Sequence, residues 1–405
     1  MDILADLMVN DWLALGIVLT LKGSDSSLKP LILMSHYDVV PAPANTADRW
    51  THPAFSGYYD GEFVWGRGAA DDKTLLVAQY EALTRLLEDG FSPRRSVIFA
   101  HGFDEEEVGA RQGAGQIAPF LEARYGKDGV LLVIDEGTGT SDNVWGAAFA
   151  MPANAEKGYL DVKLSAASPH LGLLACGAEH SPKFPEQYKK LLKSPKKWDQ
   201  LAALWAKESW AQKALLSTTQ AIDIINGGVK INALPERVEM MMNLRIDFAS
   251  SINETQAHLA HAIGLVAKAH NMTFAAFPSK EDRREYDSGS RYVVAEVFGI
   301  PLEPAPYTPE EGGVFDMFAG TIKAVLPGPN GEERTVAPYS STGNTDTKMY
   351  WNLSKNIFRF MAASMEGGMN GAHTVNEKAS MNAHMKVIAF VHGIVQAAND
   401  YTGKE

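Results

Sequence analysis

Three short runs of the chain are almost wholly apolar: LILMSH at 31–36, VIFAHGF at 97–103 and VLLVID at 130–135. Near-continuous apolarity over such lengths predicts strands buried on both faces, as in a parallel sheet covered by helices. Between the first two runs lies KTLLVAQYEALTRLLEDG, with Leu76, Tyr80, Leu83 and Leu87 at helical spacing and Gly90 as a stop. AGQIAPFLEARYG, between the second and third, predicts another helix. Strand, helix, strand, helix, strand is the order of an α/β sheet.

The period changes after Ala155. EKGYLDVKL places Leu160, Val162 and Leu164 on one face, and RVEMMMNLRI alternates through Val238, Met240, Met242, Leu244 and Ile246. Alternation predicts antiparallel strands with one wet face. With the helical ETQAHLAHAIGLVAKAHN they form a small α+β unit. The predicted organisation is therefore a first α/β part over 1–155, an inserted domain over 156–290 and a second α/β part over 291–405. The last part ends in an amphipathic helix from about Asn382.

Composition narrows the function classes. An apolar fraction of 45%, a charged fraction of 21% and eight Trp describe a folded globular chain. A formal net charge of -12 argues against a nucleic-acid partner, which needs clustered Lys and Arg. With Cys176 as the sole cysteine, no internal disulfide and no Cys-rich metal site can form, so any metal must be held by His and carboxylates. Asp2, Asp6 and Asp11 interrupt the apolar N-terminal stretch, which reads as neither a signal peptide nor a spanning segment.

Each predicted strand runs out into candidate ligands. The first ends at His36 and Asp38, the second at Asp104, Glu105, Glu106 and Glu107, the third at Asp135 and Glu136. In open α/β sheets the functional crevice lies at the carboxyl ends of the strands. Acids gathered there repel one another unless cations sit among them. WGRGAADDK adds Asp71 and Asp72 just ahead of the first long helix, close to the same crevice.

These segments, together with the late HTVNEK, resemble the di-zinc peptidases and aminoacylases of the carboxypeptidase S type. The long stretch WTHPAFSGYYDGEFVWGRG is similar to carboxypeptidase S relatives in particular. The resemblance implies a zinc-peptidase α/β domain interrupted by a smaller, ferredoxin-like lid that can serve dimerisation. It implies two zinc ions per chain, held by His36, Asp71 as the bridge, Glu106, His373 and one of Asp135 or Glu136. It makes Asp38 the group that fixes the His36 imidazole, and Glu105 the general base that takes a proton from a metal-bridged water. Asn344 and Lys348, in TGNTDTK, would hold the substrate's free carboxylate. The substrate class implied is a short peptide or an N-acyl amino acid, and the compartment a vacuolar lumen or the secretory pathway.

The chain departs from that pattern in four places. Lys348 stands where relatives carry Arg, keeping the charge without the planar bidentate grip. The acidic run has an extra glutamate, so base and ligand are Glu105 and Glu106 or, in a shifted register, Glu106 and Glu107. The Gly-His-Ser motif expected early in the lid, whose histidine stabilises an oxyanion, has no counterpart in KLSAASPHLGLLACGAEHSP. His170 lies there without the motif. Residues 1–22 do not match the relatives' leader, so the chain reads as shortened at that end and in the lid. Two functions therefore stand as expectations: a zinc-dependent carboxypeptidase, or an impaired homologue that binds metal and amino-acid-like ligands.

Overall fold

The structure, a computed structural model, describes residues 3–10, 14–107, 112–160, 171–232, 235, 237–279 and 291–403. Its main sheet orders the strands Ile3–Asn10, Ala14–Leu21, Val97–Gly102, Leu31–His36, Leu132–Val144, Ile357–Ser364, Ala153–Glu156 and Tyr339–Ser341. The three apolar runs are adjacent and parallel, with Leu33 opposite both Phe99 and Ile134, and His36 opposite Gly102. Their carboxyl ends therefore open on one edge.

Both faces of this sheet are covered, which is why its central strands need no polar alternation. Thr74–Glu88, Gly313–Val325 and Met381–Asp400 pack on one face. There Phe318 stacks on Phe358 at 4.4 Å, and Phe390 meets Phe318 and Phe360 edge-on. Ala114–Tyr125 covers the other face over Ile32, Met34, Ile98 and Val133. The strand Ile357–Ser364 is buried almost throughout and was missed by the sequence reading. So was the antiparallel hairpin Ile3–Asn10 with Ala14–Leu21, which pairs onto Val97–Gly102.

A second, antiparallel sheet orders Gly158–Tyr159, Val238–Ile246 and Thr219–Gly227. Ile252–Ala269 lies on it, with Leu160, Leu244, Ile246 and Leu259 as a small core of its own. Ser251 caps that helix by accepting from the Glu254 amide at 3.2 Å. The expected alternation through Val162 and Leu164 falls, with His170, outside the described residues. Between Tyr159 and Thr219 the described chain forms four short α-helices and one 3-10 turn within 171–215. Leu173, Leu174, Phe184, Tyr188 and Trp205 bury them against Phe149, Met151 and Ala337, beside the main sheet rather than on the second sheet.

Candidate metal centre

The strand Leu31–His36 delivers His36 to the sheet edge with a fully buried imidazole. Its Nδ1 lies 3.2 Å from Asp38 Oδ1, while Asp38 Oδ2 accepts from the Glu106 amide at 3.1 Å. Asp38 thus fixes the ring and the acidic loop together. That leaves His36 Nε2 facing Asp71 Oδ1 at 3.0 Å and Glu136 Oε1 at 3.5 Å.

Asp71 points both ways. Its Oδ2 lies 3.0 Å from His373 Nε2, which is also 3.0 Å from Glu106 Oε2. The result is two His/carboxylate groups, His36–Asp71–Glu136 and Asp71–Glu106–His373, with all ligand atoms in each within 4.8 Å of one another. Of the open pair Asp135 and Glu136, Glu136 joins a group. Asp135 is buried with Oδ2 unpartnered, and belongs to neither. Glu106, not Glu107, reaches His373, while Glu107 is exposed. The first histidine is sealed in, but the His373 side chain is 56% exposed, so the second group is the one facing solvent. His373 also adopts φ 61°, a left-handed conformation that costs a non-glycine residue free energy and recurs at functional positions.

The donor set suits divalent cations. Burial pushes the carboxyls of Asp72, Asp135 and Glu136 above their ordinary range, neighbouring carboxylates add to all three shifts, and the hydrogen bond to His36 partly offsets that of Glu136. Burial opposes charge on His36, but hydrogen bonds to Asp38, Asp71 and Glu136 outweigh it and raise its basicity. Asp71 is pushed up by burial and brought down further by His36 and His373. Hydrogen bonds to Asp71 and Glu106 hold His373 up at about 10. Glu106 Oε1 is buried with no hydrogen-bond partner. So many acids, with an unsatisfied oxygen among them, form a site that cations would satisfy.

Glu105 sits beside this pair without joining either group. Burial first, and Glu136 second, push its carboxyl up to about 9, and Lys348 Nζ lies 3.8 Å from it. Lys348 and Asn344 line a cavity of about 470 Å³ together with Glu105, Glu106 and His373. The sequence reading missed a further cation there, Arg245, whose Nη1 donates to Asn344 Oδ1 at 2.8 Å. Its signal was available: in the alternating strand Leu244 and Ile246 face the core, so Arg245 must face the other way. Asn344 is anchored in turn through Nδ2 to the Lys157 carbonyl at 2.5 Å. Below them Arg359, fully buried, lies 3.3 Å from Glu156 and donates to Thr347 Oγ1, fixing the turn that carries Lys348.

The sequence model of peptidase family M20/M25/M40 matches residues 32–397. The chain belongs to this family. It is 37% identical to carboxypeptidase S of Saccharomyces cerevisiae, an alignment that covers 96% of this chain and 74% of that protein. It is 31% identical to the N-fatty-acyl-amino acid synthase/hydrolase PM20D1 of Bos taurus, over 93% of this chain and 76% of the relative. Among solved structures, the M20 metallo-carboxypeptidase Sso-CP2 from Sulfolobus solfataricus superposes with a TM-score of 0.61 at 17% identity. That match covers 98% of this chain and 91% of the other. The dipeptidase Dug1p of Saccharomyces cerevisiae gives 0.61 at 14%, covering 100% and 88%. The fold is thus the α/β fold of the M20 metallopeptidases, as the resemblance implied. Among the described residues no helix is long and apolar enough to cross a membrane.

Proposed function

We propose that the chain is a zinc-dependent carboxypeptidase that removes the C-terminal residue of short peptides or cleaves N-acyl amino acids. The observation that carries this reading is the sharing of Asp71 between two His/carboxylate groups, with Glu105 beside them and a cationic cavity adjoining. His36, Asp71 and Glu136 would hold one ion; Asp71, Glu106 and His373 the other. Such a pair supplies polarisation of the scissile carbonyl and a water acidic enough to act as nucleophile at neutral pH.

The chain's own residues do the rest. Glu105 accepts the proton of the attacking water and delivers it to the leaving amine, which is general acid–base catalysis by one carboxylate. Arg245, Lys348 and Asn344 hold the free carboxylate and so set which bond reaches the centre. Asp38 keeps the His36 ring in the tautomer that presents Nε2. The catalytic body comprises 1–155 and 291–405 with the helices of 171–215 packed beside its sheet, and the second sheet and its helix within 156–290 form the lid. A homodimer through the lid is part of the proposal, supported by Ile222, Ile225 and Met240 standing 51%, 66% and 50% exposed on its strands. The second reading, a metal-binding homologue with little turnover, rests on the missing Gly-His-Ser motif, whose place lies outside the described residues.

Hydrolysis of a blocked dipeptide by zinc-loaded and by chelated protein tests the proposal. Zinc-dependent release of the C-terminal amino acid is expected. Stoichiometric zinc binding without release would leave the second reading standing in its place.

A further inference from the structure

A second cavity, of about 310 Å³, adjoins the centre. Asp71 and Glu136, from the His36 group, stand in its wall, whereas Glu106 and His373 line the cationic cavity. Each His/carboxylate group therefore faces its own cavity. The two differ sharply in chemistry. The first carries Arg245 and Lys348. The second has no Lys, Arg or His among its lining residues; beyond the two carboxylates, its wall is chiefly Met361, Met365, Met369 and Ala363.

That contrast fixes the direction in which a substrate can lie. A free carboxylate placed in the second cavity would find no Lys, Arg or His in its lining to pair with. In the first cavity it would meet two cations. The half of the substrate on the acyl side of the scissile bond is then left to the second cavity, whose lining offers a charged group no opposite side-chain charge beyond the centre itself. Three methionines define what fits. Unbranched, polarisable thioether chains adapt to variable aliphatic shapes and tolerate a range of lengths. Met365 is 50% exposed, so the cavity has an apolar rim open to solvent as well as a buried floor at Met361.

We infer that this methionine-lined cavity is the acyl-side subsite, and that it selects a flexible, uncharged aliphatic group. That group is the chain of an N-acyl amino acid or the side chain of the residue preceding the scissile bond. The inference rests on the catalytic reading above for the position of the scissile bond, but not for the chemistry of the cavity.

The test is a series of N-acyl-leucines from acetyl to octanoyl, alongside blocked dipeptides whose first residue runs from Gly to Met. kcat/KM of the zinc-loaded protein should rise with each methylene by up to about fourfold, the equivalent of ~0.8 kcal/mol. Met365→Glu and Met369→Glu should flatten that slope, lowering the octanoyl-to-acetyl ratio at least tenfold. Binding of the same series to the Glu105→Gln variant, measured calorimetrically, should show the same slope in affinity. A slope in either series supports the inference and identifies the occupant as an acyl chain or a side chain. Absent turnover with the binding slope intact would defeat the catalytic reading and leave this one standing. Turnover of every substrate with no dependence on length, or a slope unmoved by both variants, would overturn it.

Discussion

Glu377 holds Asp71 by its backbone. One carboxylate oxygen accepts from the amides of Ala70 at 3.0 Å and Asp71 at 3.1 Å, and the other meets the Arg67 guanidinium at 2.5 Å. Glu377 is fully buried, and it comes from the same late loop as His373. The loop that supplies a ligand to the second group thus also fixes the residue shared by both.

Glu377→Gln should therefore loosen the centre without touching a ligand. It keeps an acceptor for the amides but removes the charge opposite Arg67. Residues that orient metal ligands typically contribute a factor of roughly 10–100 in affinity, so zinc affinity by titration against a competing chelator should fall by about that much. Unfolding of the chelated variant, followed in parallel, separates this from a general loss of fold. Unchanged zinc affinity would show that Asp71 needs no such support.

Glu105→Gln and Glu106→Gln should part company. The first removes the proposed base, costing roughly 10²–10⁴ in turnover, with metal content retained. The second removes a ligand and should cost metal. Metal analysis beside a peptide assay reads both, and the reverse pattern would move base and ligand to Glu106 and Glu107.

The cationic cavity predicts a selective loss. Arg245→Met and Lys348→Met should each raise KM for substrates with a free C-terminal carboxylate. A charged hydrogen bond is worth about 1.5–3 kcal/mol, so the effect should be on the order of 10- to 100-fold. C-terminally amidated substrates should be little affected, and an equal loss on both would place the carboxylate elsewhere.

Protonation makes stability depend on metal and pH together. Burial, with Glu136, raises Glu105 from 4.5 to about 9, and burial raises Asp346 from 3.8 to about 7. The folded chain then keeps protons that the unfolded chain releases, so stability falls as pH rises through those intervals. His373, held at about 10 against 6.5, acts in the same sense: its contribution is complete below 6.5 and fades toward 10. Chelated protein should accordingly lose thermal stability between about pH 5 and about pH 9, with zinc restoring most at the alkaline end. A flat or rising Tm in the chelated protein would contradict this.

The centre was legible where chemistry coincides with a strand end. His36, the acidic run and Asp135–Glu136 follow continuous apolar runs, and the sheet needs no other signal to align them. Asp71 and His373 lie on a turn and a loop, which carry no period; the helix start placed Asp71 or Asp72 near the crevice, and only resemblance chose Asp71 and pointed to His373. Glu377 and Arg67 lie within recognisable motifs but carry no ligand signal, because their work is done through backbone amides and a buried ion pair. Arg245 was hidden by reading its strand for the apolar face alone. The strand Ile357–Ser364 escaped because Arg359 interrupts its apolar run, a charge that Glu156 and Thr347 make tolerable in the interior. The helices between 171 and 215 are too short for a helical period to stand out.

Zinc titration of the chelated protein, paired with Asp71→Asn, tests the shared carboxylate most directly. The wild-type chain should bind about two ions, and the variant should lose high-affinity binding of at least one, because both groups draw on the same side chain. Binding of a single ion by the wild type, left unchanged by Asp71→Asn, would contradict the account.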